Sequence, residues 1–64
     1  MEALRQYLSD HEMTQQKFAD LIGVKQPTVW EWLNGKSTPS VARLRRISEA
    51  TGLSIDELLQ ESAA

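Results

Sequence analysis

The 64-residue chain has no cysteine and one histidine, which excludes disulfides and cysteine- or histidine-based zinc sites as supports for its core. Seven lysines and arginines against nine aspartates and glutamates give a net charge of −2, which by itself argues against a nucleic-acid partner. No apolar run approaches the about 20 residues of a membrane span and no signal-peptide pattern is present, so we expect one cytoplasmic domain over residues 1–64 with no membrane partner.

Charge is unevenly distributed along the chain. Residues 14–46 contain six basic side chains and two acidic ones, a local balance of +4. Residues 1–13 and 47–64 have local balances of −2 and −4. A phosphate responds to the local field rather than to the total charge of a protein. The basic segment over residues 14–46 is therefore compatible with a nucleic-acid partner. Chance clustering of surface lysines is the alternative explanation of the charge pattern taken alone.

The spacing of apolar residues predicts five helices and no strand, and therefore an all-α, compact five-helix bundle. The first helix covers about residues 2–9, with Leu4 and Leu8 on one face. Thr14 is the candidate N-cap of the second helix, and Gly23 ends that helix.

The next two helices carry similar start and stop signals. The third runs from about Gln26 to Leu33 and tolerates Pro27 because the missing N–H falls in the first turn. A polar loop follows over residues 34–39. Ser40 is then the candidate N-cap of the fourth helix, which Gly52 ends.

The fifth helix begins after Ser54, which is predicted to form a capping box with Glu57. It ends near Gln60, and residues 61–64 are expected to fray.

The apolar faces of the five helices define a predicted core. Ala19 is its smallest member, and a bulkier residue there should overpack the joint between two crossing helices. The core residues are Leu4, Leu8, Phe18, Ala19, Ile22, Val24, Val29, Trp32, Val41, Leu44, Ile47, Leu53, Ile55, Leu58 and Leu59.

Two short helices with apolar stripes flank Gly23. The stripe through Phe18 and Ile22 stops at this glycine, and a new stripe begins at Val29. A helical pattern that is broken and restarted so soon gives two helices that cross at a steep angle. We therefore expect a helix-turn-helix over about residues 14–34, whose second helix can enter a DNA major groove.

The outward face of the third helix presents four candidates for reading bases. Gln26 can bond the N6 and N7 atoms of adenine through its amide, and Thr28 offers a hydroxyl and a methyl group. Pro27 could pack against a thymine methyl group. Glu31 could accept from cytosine N4, or could repel wrong sites as a carboxylate near phosphates. A solvated helix face is the alternative for each of them.

Phosphate contacts are expected from the N-terminus of the second helix and from residues that flank the third. Backbone N–H groups and the positive end of the helix dipole suit an anion at the first site. These contacts fix register and supply affinity without reading sequence. The candidates are Gln15, Lys25, Asn34, Lys36, Thr38 and Arg43.

The two tryptophans are assigned to different surroundings. Trp32 occupies a core-facing position, whereas Trp30 faces outward on the same helix. Packing on the loop after the third helix is the first interpretation of Trp30. A contact with the DNA backbone and a place in a protein interface are the alternatives. Leu33, next to the apolar stripe, is also a candidate for such an interface. No base contact is assigned to Trp30.

No catalytic group, metal site, cofactor or small-molecule ligand is predicted. His11 is the single histidine, and it has neither a nucleophile partner nor metal-ligand spacing. A Gly-rich phosphate loop and paired catalytic carboxylates are also missing from the pattern. The sequence therefore favours a protein that is not an enzyme.

The chain resembles the phage repressor and Cro helix-turn-helix family, also called the Cro/CI or XRE type. The resemblance covers about residues 3–60, and it implies a five-helix bundle that binds operator DNA, usually as a dimer on a two-fold-symmetric site. The residues that carry it are Met13–Lys36, Pro39, Ser40, Leu44, Ile47, Gly52, Leu53, Ser54, Leu58 and Leu59.

The resemblance also implies roles for single residues. A glutamine at the Gln15 position contacts phosphate and braces the one at the Gln26 position, which reads adenine; Asn34 and Lys36 match the family's loop. Three positions depart from the family. Lys25 replaces a usual Ser or Thr cap, Trp30 replaces a small or polar residue, and Glu31 puts a charge at a base-reading position.

The leading hypothesis is a sequence-specific transcriptional regulator from a phage or bacterium, a repressor that binds its operator as a homodimer. The alternative is a protein-interaction module, such as an antitoxin or the detached DNA-binding part of a larger regulator. The dimer surface is expected on the fifth helix or on the outer side of Trp30–Leu33. A monomeric protein is the alternative.

Overall fold

A computed structural model of the chain describes residues 1–60, which form five α-helices without a strand. The predicted all-α bundle is therefore confirmed. The first helix extends one residue beyond its predicted end, and the predicted fraying of residues 61–64 lies outside the described residues. The helices are α1 (Glu2–Asp10), α2 (Gln15–Ile22), α3 (Gln26–Leu33), α4 (Val41–Thr51) and α5 (Ile55–Leu59).

Hydroxyl side chains begin three of these helices. The Thr14 hydroxyl accepts a hydrogen bond from the Lys17 backbone N–H at 3.0 Å, and the Ser40 hydroxyl accepts one at the start of α4. Ser54 and Glu57 form a complete capping box before α5. Each bond satisfies a backbone donor that the helix itself cannot satisfy, so the predicted starts of α2, α4 and α5 are confirmed.

Gly23 ends α2 and forms the turn toward α3. Its φ of 87° lies in the left-handed region, where a side chain would cost about 1–2 kcal/mol. The N–H groups of Gly23 and Val24 both donate to the Ala19 carbonyl, at 2.8 and 3.0 Å. A Cβ at this glycine would meet no atom within 4 Å. The backbone angle, and not a lack of space, therefore requires glycine here.

The core lies between α1, the α2–α3 pair, α4 and α5, and α2 packs most extensively against α3. Val24, Leu53 and Ile55 of the predicted core are only partly buried, although they pack against it. Pro39, which was not predicted, is buried as well. The buried hydrophobic residues are Leu4, Leu8, Phe18, Ala19, Ile22, Val29, Trp32, Leu33, Leu44, Ile47 and Leu58.

Two residues of the predicted core lie at the surface. Val41 is 68% exposed because it occupies the first turn of α4, about 120° around the helix axis from the buried Ile47. Leu59 is 48% exposed because it is rotated about 100° from Leu58, on a short helix that buries one side only. The prediction that both are core residues was wrong.

On the sequence alone, Leu33 is open between the apolar stripe of α3 and a protein interface. It is 7% exposed and belongs to the core, so its side chain is not available to a dimer surface on the outer side of α3. No helix within residues 1–60 combines the length and the apolar character that crossing a bilayer requires.

Candidate nucleic-acid interface

Helix α3 separates the side chains predicted to face inward from those predicted to face outward. Val29 and Trp32 are buried, as expected. Pro27 and Glu31 are exposed, while Gln26 and Thr28 are half-buried at the start of the helix. The four candidate base-reading residues therefore lie at the first turn or on the open face of α3.

A side-chain hydrogen bond joins the beginning of α2 to the beginning of α3. The Gln26 Nε2 atom donates to Gln15 Oε1 at 2.5 Å, and both side chains are half-buried. An amide group has two N–H donors and one carbonyl acceptor. Gln26 therefore retains one N–H and its own oxygen, and Gln15 retains both of its N–H donors. This bond is the brace that the family resemblance implied.

Lys25 occupies the N-cap position of α3 without acting as a cap. Its backbone is extended, with φ −86° and ψ 151°, and its side chain makes no capping hydrogen bond. Pro27 follows in the first turn and contributes no N–H. The exposed ammonium group is thus held beside the positive end of the helix dipole, an arrangement that favours an anion.

The C-terminal end of α3 is closed by its own loop. The Asn34 side-chain amide donates to the Trp30 carbonyl at 2.9 Å, and the Lys36 backbone N–H donates to the Glu31 carbonyl at 2.9 Å. These bonds fix where Lys36 leaves the helix. Its side chain and that of Thr38 are exposed in the loop between α3 and α4.

Arg43, the last predicted phosphate contact, lies in the first turn of α4. Its backbone N–H donates to the Ser40 hydroxyl at 3.3 Å, and its side chain is exposed. The structure thus brings Gln15 and Gln26 into direct contact and ties Asn34 to α3. It presents the Lys25, Lys36, Thr38 and Arg43 side chains at the surface.

Arg5 is a residue that the sequence analysis missed. Its guanidinium group donates to the Leu33 carbonyl at 2.5 Å and so links α1 to the last turn of α3. A cation at a helix C-terminus is favoured by the unpaired carbonyls and the dipole. Arg5 and Leu33 also line one shallow groove with Gln15. The two partners are 28 positions apart, and no local sequence pattern indicates a contact at that separation.

Trp30 is the large apolar side chain that α3 leaves at the surface. It is 44% exposed, against 3% for Trp32. Nearly half of this indole is therefore uncovered and available to a partner.

Comparison with known proteins gives one match. Residues 2–58 match a family model described as helix-turn-helix, which covers all five helices but the last residue of α5. Neither the curated proteins nor the solved structures gave a match.

Proposed function

Because this chain belongs to the Cro/CI-type helix-turn-helix family of DNA-binding transcription regulators, we propose that it is a sequence-specific repressor. In this proposal residues 1–64 act as one DNA-binding domain, with α3 in the major groove of an operator. A domain bound there excludes polymerase from the same DNA. The observation that carries the proposal is the hydrogen bond between Gln26 and Gln15.

This bond supports adenine reading because it holds the Gln26 amide in one orientation. The second N–H of Gln26 can donate to adenine N7 while the amide oxygen accepts from adenine N6. Gln15 keeps its N–H donors for a phosphate at the N-terminus of α2. The same pair thus couples a base contact to a backbone contact.

Three other groups of α3 complete the proposed reading surface. Thr28 offers a hydroxyl and a methyl group, Pro27 offers an apolar ring for a thymine methyl, and Glu31 can accept from cytosine N4. The remaining phosphate contacts are assigned to Lys25, Asn34, Lys36, Thr38 and Arg43.

We propose binding as a homodimer to two half-sites about 34 Å apart, one turn of DNA. Helix α5 is the better of the two predicted dimer surfaces. Its Leu59 is 48% exposed, whereas Leu33 is buried within the protomer.

Selection from a pool of random DNA duplexes tests the proposed function. The expected product is a two-fold-symmetric site whose half-sites are one helical turn apart. Failure to enrich any sequence would contradict sequence-specific binding and favour a protein-interaction module. Enrichment of a single half-site would contradict the homodimer alone.

Exchanging Lys25 for serine should raise stability and weaken DNA binding. A serine cap would add about 1 kcal/mol to the free energy of unfolding. Loss of one cation at a phosphate would reduce the salt slope of binding by about 0.9. Urea denaturation and a DNA titration at several salt concentrations measure the two effects.

Lys25→Ala is the matched control, since it removes the charge without supplying a cap. It should weaken DNA binding as Lys25→Ser does, but it should not raise the free energy of unfolding. Wild-type affinity and slope in the serine variant would show that Lys25 does not contact phosphate.

A further inference from the structure

The exposed indole of Trp30 lies on the same stripe of α3 as two residues of the proposed interface. Gln26 precedes it by four residues and Asn34 follows it by four, and residues at this spacing are neighbours on one helix face. The Asn34 amide donates to the Trp30 carbonyl at 2.9 Å, which extends the stripe beyond the helix end. Trp30 therefore sits between a proposed base contact and a proposed phosphate contact.

Four residues of helix correspond to about 6 Å, so the indole lies about 6 Å along the axis from each neighbour. In a major groove the deoxyribose lies between the base edge and the phosphate. An indole has an apolar ring system and one N–H donor. The ring can contact the carbon atoms of a deoxyribose while the N–H donates to an oxygen of the adjacent phosphate. We propose that Trp30 packs against the sugar-phosphate wall of the groove and donates its Nε1–H to a phosphate. This inference rests on the proposed function.

The surroundings of Trp30 favour DNA over a second copy of the chain. The other large apolar residues of α3, namely Val29, Trp32 and Leu33, are all buried. The neighbours of Trp30 at four-residue spacing, Gln26 and Asn34, are polar, and the exposed Pro27 three residues before it adds only a small ring. Lys25 and Lys36 stand at the two ends of α3. A single aromatic group between polar groups and cations gives no continuous apolar patch for a protein interface, but it complements a negatively charged backbone.

A neutral contact of this kind adds affinity without releasing a counterion. Trp30→Ala should therefore weaken binding about tenfold for preferred and random duplexes alike, at an unchanged salt slope. Trp30→Phe keeps an aromatic ring without the N–H donor. Its DNA affinity should lie between those of the wild type and Trp30→Ala. Because nearly half of the side chain is exposed, Trp30→Ala should lower the midpoint of thermal unfolding far less than truncation of the buried Trp32 would.

Leu21→Ala is the matched control for these variants. Leu21 is 48% exposed, close to the value for Trp30, but it lies on α2 in a groove with Arg46, Glu49 and Ala50. Its truncation should leave DNA affinity unchanged. Equal affinities for Trp30→Ala, Leu21→Ala and wild type would overturn the inference and leave the proposed function standing. A wild-type protein that binds no DNA at low salt would overturn the proposed function itself.

Fluorescence quenching tests the contact in the unaltered protein. Acrylamide should quench Trp30 in the free protein, and Trp30→Phe gives the contribution of the buried Trp32. A DNA duplex should protect Trp30 from the quencher. Unchanged quenching in the complex would overturn the proposal. Protection of Trp30 at high protein concentration without DNA would overturn it too, because such protection would assign the indole to a protein interface.

Discussion

Replacing Ala19 with leucine should lower the free energy of unfolding by about 1–3 kcal/mol. Ala19 is fully buried on α2, the helix that packs most extensively against α3. Its carbonyl also accepts the two N–H groups that close the turn at Gly23. Because protein interiors are close-packed, a larger side chain at this buried position should push the helices apart or leave its preferred rotamer.

This loss is large for a chain of 64 residues, because total stability scales to about 3–10 kcal/mol at this size. Thermal unfolding followed by circular dichroism should show a midpoint lowered by about 5–20 °C. The matched control is Ala42→Leu, which adds the same atoms at an exposed position of α4 and should leave the midpoint nearly unchanged. Equal midpoints for the two variants would contradict a close approach of α2 and α3 at Ala19.

Exchanging Gln26 for alanine should remove the preference for one base pair in each half-site. The variant loses a bidentate contact, and the cost on the preferred site should be about 1–3 kcal/mol. On a duplex already changed at that base pair, the cost should be much smaller. Titrations of wild type and variant against both duplexes give the coupling between residue and base.

Lys36→Ala is the control for this experiment. It removes an exposed charge that is assigned to phosphate, so it should weaken both duplexes alike and lower the salt slope by about 0.9. If Gln26→Ala kept the wild-type base preference, the assignment of α3 residues to base reading would be wrong.

The helix boundaries could be predicted because their determinants are local. Thr14, Ser40 and Ser54 each bond a backbone N–H three residues later, and Gly23 and Gly52 adopt the left-handed angles that end a helix. Capping of this kind depends on a few neighbouring residues and so is visible in one sequence.

The errors concern properties that depend on distant parts of the chain. Whether Val41, Leu59 or Leu33 is buried depends on which helix covers each face, and periodicity within one helix does not contain that information. Glu12 has a φ of 50°, a conformation more typical of glycine, and no local pattern predicted it. The contact between Arg5 and Leu33 likewise joins residues far apart in sequence.

The orientation of the side chains on α3 was predicted more completely than the packing of the helices. The outward positions of Pro27 and Glu31 follow from helical spacing once Val29 and Trp32 are assigned to the core. The bond between Gln15 and Gln26 was implied by the family resemblance, since spacing alone does not show how α2 and α3 cross. The outward position of Trp30 was also predicted, but the extent of its exposure, 44%, needed the structure.

The salt dependence of wild-type DNA binding tests the central claim most directly. Lys25, Lys36 and Arg43 are the three cations assigned to phosphates, and all three side chains are exposed. Each neutralised phosphate contributes about −0.9 to the slope of log affinity against log salt concentration, so we expect a slope of about −3 per protomer on the selected duplex. A slope near zero, or no binding to any duplex at low salt, would contradict recognition of DNA by this surface.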